Sequence, residues 1–253
     1  MIKLVYVITR RPDYSSEAFY DYWLNRHGPL VAKQAEALHL RKYVQSHTVD
    51  NPGNESMRSV RGMLPPVDGI TEVWWDSLAD MQTAYATPEG AASGRILSED
   101  EAKFIDFSKS QVFLTEEHLI FDRTGDKALP QDALKVTYLL TKRNDLTQEA
   151  CHRTWLADHG PLVKSFAGIL GMAKYIQSHA MAPDWNARVV AAGFAPPLDG
   201  ITEVWTGGAQ DPASDDAIAK AAMALVEDER RFVEMGASRC FLTKEHTIFD
   251  HTR

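Results

Sequence analysis

The amino-acid sequence predicts an α+β fold in which two tandem βαββαβ units pack sheet to sheet as an intramolecular, pseudo-dimeric α+β barrel. Two observations predict it: a repeat that spans both halves of the chain, and a strand and helix order that the copies share. That order implies sheets that are covered by helices on one face only. The repeat is clearest in W-L-N-R-H-G-P-L-V (23–31) and W-L-A-D-H-G-P-L-V (155–163), and in P-P-V-D-G-I-T-E-V-W (65–74) and P-P-L-D-G-I-T-E-V-W (196–205). F-L-T-E-E-H-L-I-F-D (113–122) likewise returns as F-L-T-K-E-H-T-I-F-D (241–250). Such self-similarity predicts a tandem duplication.

The first copy opens with a strand and a helical segment. Residues 3–9 are rich in β-branched and aromatic side chains, which predicts a strand. Ser15 and Ser16 precede Glu17 and can cap a helix, and apolar residues then recur at helical spacing. The Gly28-Pro29 pair predicts a break, with Pro29 as the first residue of a second helix that runs to about Leu40.

The rest of the copy completes a βαββαβ order. A second strand is predicted at residues 42–48 and a third at 70–75, separated by a loop over 49–63. One or two helices follow, starting near Ser77 and resuming near Ser98, and a fourth strand covers 111–115. This is the ferredoxin-like order, whose sheet has one uncovered face that the second copy can bury. The predicted units are residues 1–122 and 134–253.

The segment between the units and the overall composition complete this outline. Residues 123–133 contain Gly125, Asp126 and Pro130 and are typical of a linker. The net charge of −8 argues against binding to nucleic acid, which relies on clustered Lys and Arg. The sequence has no apolar run long enough to span a membrane, no recognisable secretory signal and only two cysteines. We therefore expect a cytoplasmic protein that binds neither membranes nor nucleic acids.

Polar residues recur on the strand faces that we assign to the barrel interior. Residues two apart share a face of a strand, so one face of the second strand carries a phenol, an amide and an imidazole. One face of the third strand carries a carboxylate beside a large aromatic ring. These residues are Tyr43, Gln45, His47, Glu72 and Trp74, repeated as Tyr175, Gln177, His179, Glu203 and Trp205. Either they satisfy one another in an internal network, or they line a small-molecule cavity.

Other candidates lie outside these two strands. His27 and His159 are interpreted either as helix-ending residues that interact with the helix dipole or as proton-transfer groups. Tyr6 and Tyr138 occupy equivalent positions in the first strand of each copy and could face a cavity. The segments 49–63 and 180–194 differ between the copies and could cover a barrel mouth. They offer Arg58 and Arg61 in the first, and Trp185 and Arg188 in the second, as groups that could hold a substrate.

The motifs W-x-x-x-H-G-P-L, Y-x-Q-S-H and D-G-I-T-E-V-W, in this order and in both halves, resemble the EthD family. The resemblance implies a dimeric α+β barrel whose second subunit is here part of the same chain. It also implies cofactor-free decarboxylation or dehydration of phenolic compounds, while related barrels isomerise lactones, cyclise polyketides, oxygenate quinols or bind haem. Acid–base residues in such relatives correspond here to His27, His159, His47 and His179.

Together these observations favour a cofactor-independent lyase, most simply a decarboxylase, that acts on a small phenolic or aromatic carboxylic acid. A histidine would transfer the proton, Glu72 or Glu203 would orient it, and Tyr or Arg side chains would hold the substrate. A dehydratase, an isomerase, a ring-opening enzyme, a haem- or quinone-handling barrel and a non-catalytic binding protein remain alternatives. No metal or cofactor motif is present, so neither is expected. A further homodimer of the fused barrel is left open.

Overall fold

The computed structural model describes residues 1–125, 129 and 133–252, and its strands close into one antiparallel barrel. The strands are β1 (Ile2–Ile8), β2 (Lys42–Thr48), β3 (Gly69–Trp75), β4 (Gln111–Asp122), β5 (Lys135–Leu140), β6 (Lys174–Met181), β7 (Gly200–Trp205) and β8 (Arg239–Asp250). Their order around the barrel is β1-β3-β2-β8-β5-β7-β6-β4. The first half therefore has the order β4-β1-β3-β2, and the second half repeats it.

The two halves are joined through their fourth strands. The sequence predicts that β4 ends at Thr115, but the strand continues to Asp122 and pairs there with β6 of the other half. In the same way β8 pairs with β2. These two ladders close the eight described strands into a ring without a free edge, which removes the unpaired backbone groups that an open sheet would present.

Helices cover the outside of the barrel. They are α1 (Ser16–Tyr22), α2 (Gly28–Gln34), α3 (Pro52–Arg61), α4 (Leu78–Ala86), α5 (Pro88–Glu101), α6 (Gln148–Thr154), α7 (Gly160–Phe166), α8 (Pro183–Ala191) and α9 (Asp215–Glu229). The side chain of Ser15 caps α1 by accepting from the amide of Ala18. The predicted restart near Ser98 is wrong, because α5 begins at Pro88 behind the capping side chain of Thr87. Residues 206–214 form no helix, so the described part of the second half has no counterpart of α4.

The repeated His-Gly-Pro motif does not break its helix, contrary to the sequence prediction. Residues Trp23–His27 form a π-helical turn that joins α1 to α2, and His27 and Gly28 keep right-handed helical dihedral angles. The amide of Gly28 donates to the carbonyl of Trp23, one residue further back than in an α-helix. Trp155–His159 form the same turn in the second copy. Such a turn carries one extra residue and is frequent at functional sites.

The segments expected as variable loops between the second and third strands contain helices that cross to the other half. The side chain of Asn54 on α3 accepts from the amide of Leu242 on β8 at 2.8 Å. The side chain of Asn186 on α8 accepts from the amide of Leu114 on β4 at 3.3 Å. We call α3 and α8 the roof helices, because each covers the helix-facing side of the opposite half.

The barrel interior is apolar at its centre and ionic towards one end. Val5, Ile70, Phe113, Ile201 and Phe241 are among the buried residues that pack there. Glu72 also points inside, as predicted from the sequence, and its counterpart Glu203 does the same.

The face predicted for the second strand is wrong. Register pairs Val44 with Glu72 and Ser46 with Ile70, and the hydroxyl of Ser46 donates to Glu72 at 3.2 Å. Val44 and Ser46 therefore point inside. The alternate residues of β2 point towards the helices, and the same holds for β6. These outward residues are Tyr43, Gln45 and His47 in the first copy and Tyr175, Gln177 and His179 in the second.

The proposed linker is only partly described. Asp126 and Pro130, which indicate a linker in the sequence, lie outside the described residues, whereas Gly125 has a left-handed φ of 58°. Within the described part of the chain, every helix is too short or too polar to cross a membrane.

Candidate active site

Two cavities lie between the outer face of the sheet and the helices, one in each half. The first cavity encloses about 250 Å³, and its titratable side chains are Tyr6, His27, Tyr43, Tyr85 and Glu101. The second cavity encloses about 470 Å³, and its titratable side chains are Arg61, Tyr138, His159, Tyr175, Glu229 and Cys240. Each cavity is closed by the roof helix of the opposite half: Trp185 and Val189 line the first, and Met57 and Arg61 line the second.

His27 is held at the wall of the first cavity by a buried carboxylate. Its Nδ1 lies 2.9 Å from Oδ2 of Asp100, and only 4% of the residue is exposed. Asp100 also accepts from Tyr22 at 2.7 Å and from Lys103 at 2.9 Å. The hydrogen bond with His27 lowers the pKa of Asp100 below its usual range, although burial opposes this. A carboxylate on Nδ1 fixes the ring and leaves Nε2 to exchange a proton.

Glu101 faces the other nitrogen of this imidazole. Its Oε1 lies 4.0 Å from Nε2 of His27, and it lines the first cavity. Burial raises the pKa of Glu101 to about 7, since the opposing effect of His27 is smaller and Asp100 adds to the rise. Among the residues that line this cavity in the described chain, none is Lys or Arg. A carboxyl group and an imidazole that lie this close at a cavity wall can act as a proton-transfer pair.

The raised pKa of Glu101 predicts a pH-dependent stability. Its folded-state pKa of about 7 exceeds the ordinary value of 4.5, so its stabilising effect is complete below 4.5 and is lost as pH rises through about 7. We expect the unfolding free energy of the wild type, relative to Glu101→Gln, to fall between about pH 5 and pH 8 in urea titrations. Glu99→Gln, on the same helix with 70% of its side chain exposed, is the control and should show no such trend. A difference that stays constant with pH would contradict the raised pKa.

Two tyrosines complete the first cavity. The hydroxyl of Tyr6 is buried and has no hydrogen-bond partner, so it is free to bond a ligand in the cavity that it lines. The hydroxyl of Tyr43 accepts from Nε2 of Gln45 at 3.0 Å, and burial raises the pKa of this phenol above its ordinary value. A buried donor that lacks a partner costs about 1–3 kcal/mol, which a bound ligand with an acceptor would recover.

The second cavity repeats the histidine but not its surroundings. Nδ1 of His159 lies 2.9 Å from Oδ2 of Asp228. Glu229, the counterpart of Glu101, forms a bidentate pair with Arg61, with Nε–Oε2 and Nη2–Oε1 distances of 2.7 and 3.0 Å. Tyr138, the counterpart of Tyr6, donates to Glu229 at 3.5 Å. The glutamate and the tyrosine of this cavity therefore have hydrogen-bond partners within the protein, whereas the hydroxyl of Tyr6 in the first cavity has none.

His47 and His179 line neither of these cavities. His47 is stacked between Tyr20 and Trp23, and its Nε2 lies 3.0 Å from Oε1 of Gln45. Burial lowers the pKa of His47 to about 3 and that of His179 to about 2, so both are neutral. Gln45 in turn donates to the carbonyl of Trp23 at 2.8 Å, which is the acceptor of the π-helical turn.

Gln177 makes the corresponding bond to the carbonyl of Trp155 at 2.9 Å and also donates to the hydroxyl of Tyr175. The histidine and glutamine predicted as site residues in each copy therefore act as supports. They hold the π-helical turn and the cavity tyrosine in place.

Glu72 and Glu203 belong to a separate ionic cluster inside the barrel. Lys135 donates to Glu72 at 2.7 Å and to Glu203 at 2.6 Å, and Lys3 donates to Glu72 at 3.0 Å. Burial would lower the pKa of Lys3, but Glu117, Glu203 and Glu72 raise it above its ordinary value. The sheet separates this cluster from His27, so the prediction that these glutamates orient a cavity histidine is wrong.

The remaining predicted site residues divide between the surface, the barrel mouth and the cavities. Arg58 pairs with its helix neighbour Glu55, and Arg188 is exposed, so neither enters a cavity. Trp74 and Trp205 lie at the ionic end of the barrel, where each indole donates to a glutamate, Glu117 and Glu245 respectively. Trp185 and Arg61 do line cavities, but each lines that of the opposite half.

Sequence reasoning missed four carboxylates and two lysines. Asp100 and Glu101 recur as Asp228 and Glu229, and a Phe follows three residues later in both copies. This repeated Glu-Asp-Glu segment was a signal that could have identified them. Lys3 and Lys135 also occupy equivalent positions, but lysine is seldom fully buried and gives no such indication. In the described part of the chain, no group of three or more His, Cys, Asp or Glu residues could hold a metal ion.

Comparisons with known proteins address the family and the fold. The EthD domain model matches residues 11–108 and 143–236. A candidate monooxygenase from Fusobacterium nucleatum is 7% identical, with a TM-score of 0.50 over 97% of this chain and 93% of that chain. One from Lactobacillus acidophilus is 10% identical, with a TM-score of 0.47 over 97% and 94%. An EthD-family protein from Bacillus halodurans is 25% identical over 47% of this chain and 99% of that chain, with a TM-score of 0.33.

No curated protein matches this sequence. The Fusobacterium structure, at 7% identity, supports the fold alone. The two segments matched by the domain model make up most of the chain and fall one in each half. The chain therefore belongs to the EthD family, of which it carries two domains in tandem.

Proposed function

We propose that this protein is a cofactor-independent lyase that decarboxylates a small phenolic carboxylic acid in the first cavity. The observation that carries the proposal is the arrangement of His27 between Asp100 and Glu101, with Nε2 4.0 Å from Oε1 of Glu101. The unpaired hydroxyl of Tyr6 adds a donor for a substrate oxygen.

The walls of the first cavity favour an aromatic substrate. Trp23, Trp75, Tyr85, Trp185 and Phe194 line it, and aromatic rings pack well against one another in offset or edge-on arrangements. A volume of about 250 Å³ suits a ring with a few substituents. The substrate carboxylate would meet no lysine or arginine among the described lining residues. An unpaired carboxylate in an apolar site is destabilised, and its loss as carbon dioxide relieves this cost.

Each group has a role in the proposed step. Nε2 of His27 accepts the proton of the phenol while the protonated Glu101 donates a proton to the ring carbon that bears the carboxylate. The bond from that carbon to the carboxylate then breaks, carbon dioxide leaves, and the electron pair restores the aromatic ring as a phenolate. His27 returns its proton to the phenolate, and Glu101 takes one proton from solvent. The net reaction consumes one proton and forms one phenol and one carbon dioxide.

Deuterium incorporation tests this proposal. We expect 2-hydroxybenzoate, 4-hydroxybenzoate or a hydroxynaphthoate, incubated with the protein in D₂O, to give the corresponding phenol with one deuterium at the vacated carbon. Benzoate, which lacks the phenol, is the matched control and should not react. Mass spectrometry of the product and measurement of released carbon dioxide give the result. If none of these hydroxylated acids loses carbon dioxide in the presence of the folded protein, the proposed reaction is wrong.

We also propose that residues 1–122 and 134–253 are two ferredoxin-like units that form an internal pseudo-dimer. The shared strand order β4-β1-β3-β2 in each half supports this division.

A further inference from the structure

The second cavity differs from the first in size, for a reason that the sequence explains. It encloses about 470 Å³ against about 250 Å³. Tyr85 on α4 fills part of the first cavity, whereas the second half has no helix over residues 206–214. Gly94 on α5 leaves room for the ring of Tyr85, since a Cβ there would lie 2.9 Å from that ring, and the corresponding position on α9 is Ala222. The second cavity therefore accepts a larger molecule.

The guanidinium and the carboxylate that line the second cavity are paired with each other. Arg61 and Glu229 neutralise each other in a bidentate pair, of which 15% and 8% of the side-chain surface is exposed. The guanidinium has five N–H donors, and this pair uses two of them. A third makes a long bond of 3.4 Å to the carbonyl of Met57. Arg61 therefore keeps donors for a ligand oxygen while its charge is already compensated.

This arrangement selects against an anion. A carboxylate that approached Arg61 would be buried beside the carboxylate of Glu229, and like charges buried together are strongly unfavourable. An uncharged acceptor, such as a phenol or ketone oxygen, can take a free N–H of Arg61 without disturbing the pair. The remaining wall is aliphatic and aromatic, with Val163, Leu225 and Phe232 among its residues.

The mouth of the second cavity is also apolar. Val60 on the roof helix α3 and Met223 on α9 line it and have 48% and 53% of their surface exposed. Large apolar side chains that are exposed to solvent at the edge of an apolar cavity are typical of a ligand entrance.

We propose that the second cavity is a separate binding site for an uncharged aromatic molecule that carries a hydrogen-bond acceptor, with Arg61 as the donor. His159 does not carry out there the acid–base step assigned to His27, because Glu229 is committed to Arg61. This site stands independently of the decarboxylation proposed for the first cavity.

Two probes of the same shape but different charge test this site: 2-naphthol and 2-naphthoate, titrated calorimetrically. We expect 2-naphthol to bind the wild-type protein and to lose at least tenfold in affinity in Ala222→Phe. Ser98→Phe is the matched control, since Ser98 is an exposed helix residue that lines the first cavity, as the exposed Ala222 lines the second. Loss of 2-naphthol binding in Ser98→Phe but not in Ala222→Phe would overturn the proposal, as would no binding at all.

Glu229→Gln tests the charge argument. It leaves Arg61 uncompensated, so 2-naphthoate should gain at least tenfold in affinity, and Ala222→Phe added to this variant should abolish the gain. Equal binding of both probes to the wild-type second cavity would show that the pair does not select against anions. Ala222→Phe should leave turnover of a hydroxylated aromatic acid unchanged. Failure of decarboxylation with intact 2-naphthol binding would therefore disprove only the proposed reaction.

Discussion

Replacing His27 with alanine is expected to lower kcat for decarboxylation by about 10² to 10⁴, the contribution typical of a positioned general acid or base. The loss should fall mainly on kcat, because the aromatic walls of the first cavity that bind the ring are unchanged. Asp100 keeps its bonds to Tyr22 and Lys103 in the variant, which preserves the local structure. Steady-state kinetics with a hydroxylated aromatic acid, together with a circular dichroism spectrum, provide the measurement.

His159→Ala is the matched control for this prediction. It removes the equivalent imidazole, which also contacts a buried carboxylate at 2.9 Å, but it lies in the cavity where Arg61 engages Glu229. We expect its kcat to stay within about twofold of the wild type, far from the loss typical of a missing acid–base group. Equal losses in the two variants would mean that both halves react. If His27→Ala keeps more than a tenth of the wild-type kcat, His27 is not the acid–base group of the reaction.

The second large effect concerns the ionic cluster inside the barrel. Lys3→Met is expected to destabilise the protein by about 3–5 kcal/mol, because two buried glutamates are left with one lysine. Lys3 is fully buried and lies within 3.0 Å of Glu72 and of Glu203. Urea unfolding of the variant and the wild type at neutral pH measures the difference.

Lys42→Met and a double variant make this prediction specific. Lys42 pairs with Asp250 at 3.3 Å with 27% of its side chain exposed, so its loss should cost at most about 1 kcal/mol. Adding Glu203→Gln to Lys3→Met removes the uncompensated charge and should recover part of the lost stability. If the free energy of unfolding of Lys3→Met is less than about 1 kcal/mol below that of the wild type, Lys3 does not stabilise the buried glutamates as proposed.

Much of the fold followed from the repeat. The bounds of β2 agree with the prediction, and those of β1 and β3 lie within one residue of it. The side-chain direction of β2 was not predictable, because alternation separates two faces but does not say which one is inside. In this barrel both faces are buried: Tyr43 and Gln45 lie under helices, and Val44 and Ser46 lie inside. Only the register with β3, which places Val44 opposite Glu72, decides between them.

The candidate site was predicted less completely than the fold. The sequence could pick out His27, Tyr6 and Tyr43, but their assembly depends on the π-helical turn and on Asp100 and Glu101, which follow His27 by more than 70 residues. Arg61 illustrates the limit best. Its pairing with Glu229 spans 168 positions and depends on α3 crossing to the second half, and no local pattern encodes that crossing.

The roof helices have an evolutionary consequence. In a symmetric homodimer, both roof helices are encoded by the same codons. A substitution that changes one cavity therefore changes the other as well. When the two copies are fused in one chain, each roof helix can change in sequence independently of the other. Arg61 on α3 lines the second cavity, whereas α8 lines the first with Trp185 and Val189, so each cavity can acquire its own selectivity on a shared scaffold. A duplicated chain of this kind can therefore divide two tasks between halves that still fold as one barrel.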